Sequence, residues 1–447
     1  MKNNNVCIVG AGSSYTPGIV KAILNNKKSF SIKEIRLYDI DQERNQNMKL
    51  IIDYLMEVEN RQEIKIIETT DPKTAFENID FVFSQIRVGK MKMREMDEKI
   101  CLKHGLVGQE TCGLGGFAYG LRTISGIIGM IEDVKKYAPD AWILNYSNPE
   151  TIVGEVVRRK YPDTKMINVC DMTISLEETI AQNYGYDQNN WICRYYGLNH
   201  FGWYESIYDK DLKRDIMPEL IEKMRTTELQ VADFNSGDQS WIKTFKMMKL
   251  LVSNFPDSIP NNYLEYYLYP DKAVENSDVN YTRANMVMDG REKRTLEVVE
   301  KIKSGIQKPE DINANYGEHG QYIVDIATSI LNDENKRFML IAKNDGAIPN
   351  LRADAVVEIP AYVGATGVEK ISLEGINDFH KGMMEAQVAA EKLLVDAYFE
   401  NSYEKALQAF TLNLTVPNAT IAKIILDEMI VVNKDYWPQL NKNVFKK

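Results

Sequence analysis

The chain has 447 residues, 44% hydrophobic and 26% charged, a composition typical of folded proteins and long enough for two or three domains. Its net charge of −10 argues against non-specific binding to nucleic acid or anionic membranes, which requires a basic surface. The five scattered cysteines predict reduced thiols. Because we find no signal peptide and no run of about 20 apolar residues, we expect a cytoplasmic protein outside the membrane.

The first half of the sequence alternates strand-like and helix-like segments, which is typical of a parallel sheet covered by helices. A buried strand at 6–9 precedes a glycine turn, and Pro17 suits the first turn of the following helix. A second strand at 34–38 precedes an amphipathic helix at 42–59. Further strands are predicted at 64–67, 81–83, 142–145 and 166–169.

The pattern changes near residue 191. Aromatic-rich strands are predicted at 192–196 and 203–208, followed by helices, a tyrosine-dense stretch at 263–269 and a helical C-terminal third. We therefore predict an α/β fold with two domains. Residues 1–195 would form a Rossmann-type, doubly wound parallel sheet and residues 196–447 an α+β domain, an architecture like that of lactate and malate dehydrogenases.

The glycine turn after the first strand is a candidate dinucleotide site. Gly10, Gly12 and Ser13 would let the backbone approach a pyrophosphate at a helix N-terminus, although Tyr15 replaces the third glycine of the usual fingerprint. Asp39, at the end of the second strand, is the expected acceptor for a ribose 2′-hydroxyl and favours NAD over NADP. The alternative is an ordinary strand-to-helix turn without a ligand.

A second candidate site combines Cys170, at the end of a predicted strand, with His200 in a glycine-flanked loop. A thiolate and an imidazole suit a divalent transition ion, and two protein ligands leave positions for substrate oxygens around an ion such as Mn²⁺. The neighbouring Asp171 is placed to exchange protons there. Taken singly, the cysteine could equally be an inert buried thiol and the histidine a hydrogen-bonded core residue.

Six motifs in order resemble glycoside hydrolase family 4, the NAD- and divalent-metal-dependent glycosidases, over nearly the whole chain. They lie at 10–18, 108–113, 145–149, 170–172, 197–200 and 280–285. The resemblance implies a redox elimination and addition. Hydride leaves the sugar's C3, a proton leaves C2, the aglycone departs, water adds and the hydride returns.

The residue after the metal cysteine tracks substrate class within this family. Asparagine marks the 6-phospho-β-glucosidases and histidine the α-galactosidase and glucuronidase branches. Asp171 therefore implies hydrolysis of α-linked 6-phosphoglucosides, such as maltose 6′-phosphate. One residue departs from the family pattern: Thr173 stands where the family usually has proline, which could shift the loop that carries Cys170.

The resemblance also implies roles for individual residues. Asp171 would be the general acid and Tyr263 the catalytic base, ranked ahead of its neighbours Tyr266, Tyr267 and Tyr269. The metal ligands would be Cys170 and His200, with Arg283 for the phosphate, Arg94 and Asn148 as further substrate contacts, and Glu110 as a hydroxyl acceptor.

Three further expectations concern cofactors, partners and rival functions. The cofactors would be NAD and Mn²⁺ or another divalent metal, the substrate a phosphorylated disaccharide, and the assembly a homodimer or homotetramer. The main alternative is an NAD-dependent 2-hydroxyacid dehydrogenase, which needs no metal cysteine. A non-catalytic NAD-responsive sensor is a third reading, but nothing in the chain resembles a DNA-binding segment.

Overall fold

The computed structural model describes residues 4–231, 239–306 and 320–442. Its strands are β1 (Asn4–Val9), β2 (Ile32–Tyr38), β3 (Lys65–Thr69), β4 (Phe81–Ser84), β5 (Trp142–Asn145), β6 (Met166–Asn168), β7 (Trp191–Leu198), β8 (Phe201–Asp209), β9 (Arg214–Asp215), β10 (Ile259–Pro260), β11 (Lys336–Lys343), β12 (Val356–Gly364) and β13 (Gly367–Lys370). All belong to one sheet in the order β10-β8-β7-β12-β11-β6-β5-β4-β1-β2-β3, with β13 beside β12 and β9 beside β8.

The helices alternate with the parallel strands and dominate the rest of the chain. They are α1 (Thr16–Asn25), α2 (Gln42–Val58), α3 (Pro72–Phe76), α4 (Lys90–Lys103), α5 (Gly113–Tyr137), α6 (Glu150–Lys160), α7 (Met172–Tyr184), α8 (Met217–Thr226), α9 (Gln239–Lys246), α10 (Met248–Asn254), α11 (Glu265–Leu268), α12 (Pro270–Glu275), α13 (Arg283–Val287), α14 (Lys293–Lys303), α15 (Gln321–Asn332), α16 (Asp378–Glu400), α17 (Tyr403–Leu412) and α18 (Ala419–Val432). A π-helical turn, Met288–Glu292, joins α13 to α14.

The six strands β3-β2-β1-β4-β5-β6 run parallel. This is the strand order of a doubly wound dinucleotide-binding sheet, so the predicted Rossmann-type architecture is confirmed. Such sheets bind ligands at their carboxyl edge, where the strand order reverses. Here that point lies between β1 and β4, and it fixes where the site is built.

The remaining strands extend the same sheet in antiparallel fashion. β11 pairs with β6 and β12, β12 pairs with β7, and β7 pairs with β8. One sheet therefore runs through both halves of the chain. The division of the chain into domains near residue 195 stays a prediction.

Local sequence explains how the first elements begin. β1 lies in the middle of the sheet, and Val6, Cys7 and Ile8 are fully buried, which explains its unbroken apolar run. Pro17 lies in the first turn of α1, where its missing N–H costs no helical hydrogen bond. The Asp41 side chain accepts a hydrogen bond from the Arg44 N–H and caps α2.

Two expectations about the elements were incomplete or wrong. The strand predicted at 64–67 lies at Lys65–Thr69. The C-terminal third is not simply helical, because β11, β12 and β13 lie within it; β11 and β12 join β6 to β7, and β13 pairs with β12.

One helix among the described residues, α5, is long and apolar enough to cross a membrane by length and composition. Of the 18 residues in its most apolar stretch, 78% are buried within the protein, where the helix packs beside α4 and α6. It therefore has the surroundings of a core helix.

Candidate active site

A cavity of about 950 Å³ opens at the carboxyl edge of the parallel strands. Loops after β1, β2, β4, β5 and β6 contribute to its wall, together with segments from the second half of the chain. The structure brings all the predicted site residues to this one cavity. They are Gly10, Gly12, Ser13, Asp39, Arg94, Glu110, Asn148, Cys170, Asp171, His200, Tyr263 and Arg283.

The glycine turn forms a cradle that side chains would fill. Gly10 has φ +78°, and a Cβ there would lie 2.9 Å from the Gln85 carbonyl oxygen. A Cβ on Gly12 would lie 2.9 Å from Asp39 Oδ2, which accepts a hydrogen bond from the Gly12 N–H at 2.8 Å. Asp39 therefore holds the turn as well as facing the cavity, and these residues fit a dinucleotide.

Cys170 and His200 meet as the sequence predicts. Cys170 lies two residues after β6, and His200 lies in the two-residue turn between β7 and β8 with φ +62°. The Cys170 Sγ and His200 Nε2 atoms are 3.3 Å apart, and both side chains are buried. Gly197 and Gly202 face each other beside this turn, where a Cβ on Gly197 would lie 2.3 Å from the Gly202 Cα. The glycines of this motif thus allow the close backbone approach that positions the histidine.

The electrostatics of the pair suit a cation. Burial lowers the pKa of His200 to about 4, so the imidazole is neutral and free to act as a ligand. Burial and the neighbouring Asp171 carboxyl raise the pKa of the Cys170 thiol well above its usual value. A bound divalent cation would reverse that shift, because a coordinating thiol loses its proton. Within the described ranges, no cluster of three or more His, Cys, Asp or Glu side chains could hold a metal ion, so Cys170 and His200 form a two-ligand pair.

Sequence reasoning missed the residues that orient His200. Its Nδ1 lies 2.7 Å from Thr111 Oγ1, which is 3.1 Å from Gln109 Oε1. When Nε2 binds a metal, Nδ1 would carry the proton and donate a hydrogen bond to the Thr111 hydroxyl, which in turn donates a hydrogen bond to Gln109 Oε1. Both residues lie in the 108–113 motif, so their position was visible in the sequence, but their contact with a histidine 89 positions away was not.

Tyr263 and Arg283 lie together at the cavity wall. Arg283 Nη1 donates a hydrogen bond to Tyr263 Oη at 2.9 Å, and the Tyr263 ring packs edge-on to His200 with centroids 5.0 Å apart. Burial raises the pKa of Tyr263 to about 12, and the Arg283 guanidinium opposes that shift. Tyr266 and Tyr267 pack in the same hydrophobic cluster as Tyr263, but of the three only Tyr263 lines the cavity, which supports the choice of Tyr263.

Arg94 and Glu110 belong to a buried ion-pair group. Arg94 Nη1 lies 2.7 Å from Glu110 Oε2, and Arg94 Nε donates to Glu98 Oε1 at 2.7 Å. Arg87, which the sequence analysis did not single out, pairs with the other oxygen of Glu110. Burial would raise the pKa of Glu110, but the surrounding arginines Arg87, Arg94 and Arg283 hold it well below its usual value. Glu110 is thus an ionised carboxylate that organises cationic groups.

Asn148 offers an unsatisfied acceptor to the cavity. Its side-chain Oδ1 is buried and has no hydrogen-bond partner among the described residues, while its backbone carbonyl accepts from Thr123 Oγ1 at 3.0 Å. A buried polar atom without a partner is costly, so this oxygen is ready to accept from a bound ligand.

Two family models match this chain: family 4 glycosyl hydrolase over residues 5–186, and the family 4 glycosyl hydrolase C-terminal domain over residues 195–416. Maltose-6′-phosphate glucosidase MalH of Clostridium acetobutylicum is 46% identical over 444 residues, covering 99% of this chain and 100% of that protein. 6-Phospho-β-glucosidase BglT of Thermotoga maritima is 30% identical, covering 96% and 99%.

The solved structures agree with the sequence relatives. A crystal structure of a 6-phospho-α-glucosidase from gut microorganisms, in complex with NAD and Mn²⁺, has a TM-score of 0.95 and 40% identity, covering 98% of this chain and 100% of that one. A second, in complex with NAD and glucose-6-phosphate, has a TM-score of 0.94 and 43% identity with the same coverage. The sheet and the cavity at its carboxyl edge define an α/β protein of the Rossmann type. With this identity over its whole length, the chain belongs to glycoside hydrolase family 4.

Proposed function

We propose that this protein hydrolyses α-linked 6-phosphoglucosides, such as maltose 6′-phosphate, with NAD⁺ and a divalent ion such as Mn²⁺. The observation that carries the proposal is the Cys170–His200 pair in the same cavity as the glycine turn, with Asp171 next to the cysteine. The α-specific relative MalH is 46% identical, against 30% for the β-specific BglT. Membership in this family does not favour the 2-hydroxyacid dehydrogenase alternative.

We assign roles to the residues that the family implies and that their positions support. When bound, NAD⁺ would supply a reversible hydride acceptor and the divalent ion a Lewis acid. Cys170 and His200 would hold the ion, and Gly10, Gly12, Ser13 and Asp39 would hold the dinucleotide. These assignments rest on the contacts and burial described above.

The remaining polar side chains would act on the sugar. Tyr263 would remove the proton from C2, and the nearby cation would lower its pKa together with Arg283. Asp171 would protonate the departing glycosidic oxygen. Arg283, Arg94 and Asn148 would bind the phosphate and hydroxyl groups, and this remote binding energy would orient the reacting carbons. Glu110 would position Arg87 and Arg94, with which it is already paired, in addition to accepting a hydrogen bond from a sugar hydroxyl.

We further propose that the protein is cytoplasmic and assembles as a homodimer or homotetramer. Its cysteines are free thiols, which supports a reducing compartment. Light scattering of the purified protein would measure the assembly state, and a monomer at working concentration would contradict that part of the proposal.

The decisive experiment is turnover of matched α- and β-linked nitrophenyl glucoside 6-phosphates. We expect cleavage of the α-linked compound only, loss of activity when NAD⁺ or the metal is removed, and recovery when both are restored. Equal cleavage of both linkages would contradict the assignment to α-linked substrates. Lasting NADH absorbance with a hydroxyacid would favour the dehydrogenase.

Reaction in deuterated water tests the chemistry separately. Removal of the C2 proton predicts that deuterium appears beside the anomeric carbon of the released sugar phosphate. Full-speed cleavage without such uptake would contradict the role proposed for Tyr263 and the elimination route.

A further inference from the structure

The residue that breaks the glycine fingerprint has a partner from the other half of the chain. Tyr15 stands where a third glycine is usual, and the guanidinium carbon of Arg291 lies 3.7 Å from the centroid of its ring. Arg291 Nε also donates a hydrogen bond to Ser14 Oγ at 3.0 Å. All three residues line the cavity. The tyrosine therefore supplies a flat platform for an arginine at the dinucleotide turn.

The neighbour of Arg291 contacts the other side of the same turn. Glu292 Oε1 lies 3.1 Å from Arg44 Nη2, and Arg44 Nε donates to the Gly12 carbonyl oxygen at 3.3 Å. Arg291 and Glu292 belong to the π-helical turn Met288–Glu292, a rare conformation that is often found at functional sites. Two adjacent residues thus bracket the glycine turn.

This arrangement is anchored by packing. The helix that follows the π-helical turn, α14, packs against α2, where Val299 and Ile302 join Met48, Ile51 and Leu55 in one hydrophobic cluster. The helix that precedes it, α13, starts with Arg283, which also lines the cavity and contacts Tyr263 beside His200. One helical segment therefore contacts both Tyr263 and the glycine turn.

Arg291 also differs in its charge balance from three other arginines of the cavity, Arg44, Arg87 and Arg94. Arg44 pairs with Glu292, Arg87 with Glu110, and Arg94 with Glu98 and Glu110. Within 4–231, 239–306 and 320–442, no carboxylate forms an ion pair with Arg291. Its positive charge is thus available to an anion bound at the turn, such as a pyrophosphate.

We propose that Arg291 and Tyr15 form a clasp over the dinucleotide turn that slows the release of NAD⁺. The proposal rests on the proposed function, in which the hydride returns to the same sugar. Because the cofactor then leaves each cycle unchanged, turnover does not require its release, and a slow exchange rate costs no activity. The clasp would keep NAD⁺ bound through many turnovers.

The test measures NAD⁺ binding directly, by calorimetry for the dissociation constant and by stopped-flow displacement of a fluorescent NAD⁺ analogue for the dissociation rate. Arg291→Met should raise both by about tenfold, the loss expected for one charge-assisted contact. Arg291→Lys, which keeps the charge but loses the planar fork, should give a smaller increase. Arg294→Met, an exposed arginine on the next turn, is the matched control and should leave both values unchanged.

Two tyrosine variants examine the platform. Tyr15→Phe keeps the ring and should bind NAD⁺ like the wild type, whereas Tyr15→Leu should release it faster. A folded Arg291→Met protein with a dissociation constant and rate within twofold of the wild type would overturn the clasp alone. A wild-type protein that binds no NAD⁺ would overturn the proposed function as well, so the two failures are distinguishable.

Discussion

At the scale of single residues, Asp171 carries the proposed choice between substrates. It lies between Cys170 and the first turn of α7 and lines the cavity, where the proposed mechanism has its carboxyl protonate the leaving group. A general acid matters most when the leaving group is a poor one, because a good leaving group departs without a proton. The two kinds of substrate therefore separate this role from a role in binding.

Asp171→Asn should lower kcat/KM for maltose 6′-phosphate by about 10²- to 10⁴-fold, the usual contribution of general acid catalysis. The loss on nitrophenyl α-glucoside 6-phosphate should be much smaller, because nitrophenolate leaves readily. Steady-state kinetics on both substrates check this, with Mn²⁺ affinity as the control for the neighbouring cysteine. Equal losses on the two substrates would remove Asp171 from the acid role.

The contact of Thr111 with His200 is visible only in the structure. Its hydroxyl joins His200 Nδ1 to Gln109, and such outer partners typically contribute 10- to 100-fold to metal affinity. Thr111→Val should therefore weaken Mn²⁺ binding by about that factor, whereas Thr111→Ser should restore it. Calorimetric titration with Mn²⁺ measures the effect. Wild-type affinity in the valine variant would show that the imidazole is oriented without this hydroxyl.

At the scale of elements, the first half of the fold could be predicted because its strands are central and buried. Unbroken apolar runs ending in turns mark β1, β4 and β5 in the sequence alone. β12 could not be predicted in the same way. It carries Glu358 and Pro360, which argue against a strand in the middle of a sheet, and its place is fixed by pairing with β11 and β7.

The same limit applies to the candidate site. The motifs marked Cys170 and His200 because each is unusual in its own local sequence, and the structure places them in contact. The sequence around Arg87 and Arg291 contains no motif that identifies them. Arg87 is distinguished by its ion pair with Glu110, and Arg291 by its stacking on Tyr15, both residues that are distant in the sequence. Contacts of this kind depend on the packed helices and not on any spacing in the sequence.

The start of α7 resolves the expectation about Thr173. Thr173 lies in the first turn of the helix, where N–H groups have no intrahelical acceptor and proline is tolerated. Its Oγ1 is buried and has no hydrogen-bond partner among the described residues. The contact between Cys170 and His200 forms with threonine in place, so proline is not needed to bring the two ligands together.

Thr173→Pro should therefore fold and keep its Mn²⁺ affinity within about twofold. It should gain about 0.5–1 kcal/mol in the free energy of unfolding, because proline restricts the unfolded chain and the variant loses a buried hydroxyl. Urea unfolding and Mn²⁺ titration check both parts. A large loss of metal affinity would mean that threonine positions Cys170 in a way that proline does not reproduce.

At the scale of the whole molecule, one sheet and one cavity join the two halves of the chain. Strands β6 and β11 pair across them, and the helical segment α13 to α14 reaches the glycine turn from the second half. This large shared core buries several glutamate side chains. Burial raises the pKa of Glu177 to about 7 and of Glu265 and Glu358 to about 8.

These acids make stability depend on pH in a definite direction. A carboxyl whose folded pKa is raised favours the folded state below its unfolded value of about 4.5, and that stability is lost as pH rises through the folded pKa. The contribution of Glu265 alone, with its pKa of about 8, should lower the free energy of unfolding by about 2–3 kcal/mol between pH 6 and pH 9. Glu265→Gln removes this contribution, because the amide cannot ionise. The variant should therefore lose less stability over that range in urea unfolding, measured without NAD⁺ or metal so that ligand binding does not contribute. A wild type and a variant with the same pH dependence would mean that Glu265 ionises in the folded protein as readily as in the unfolded chain.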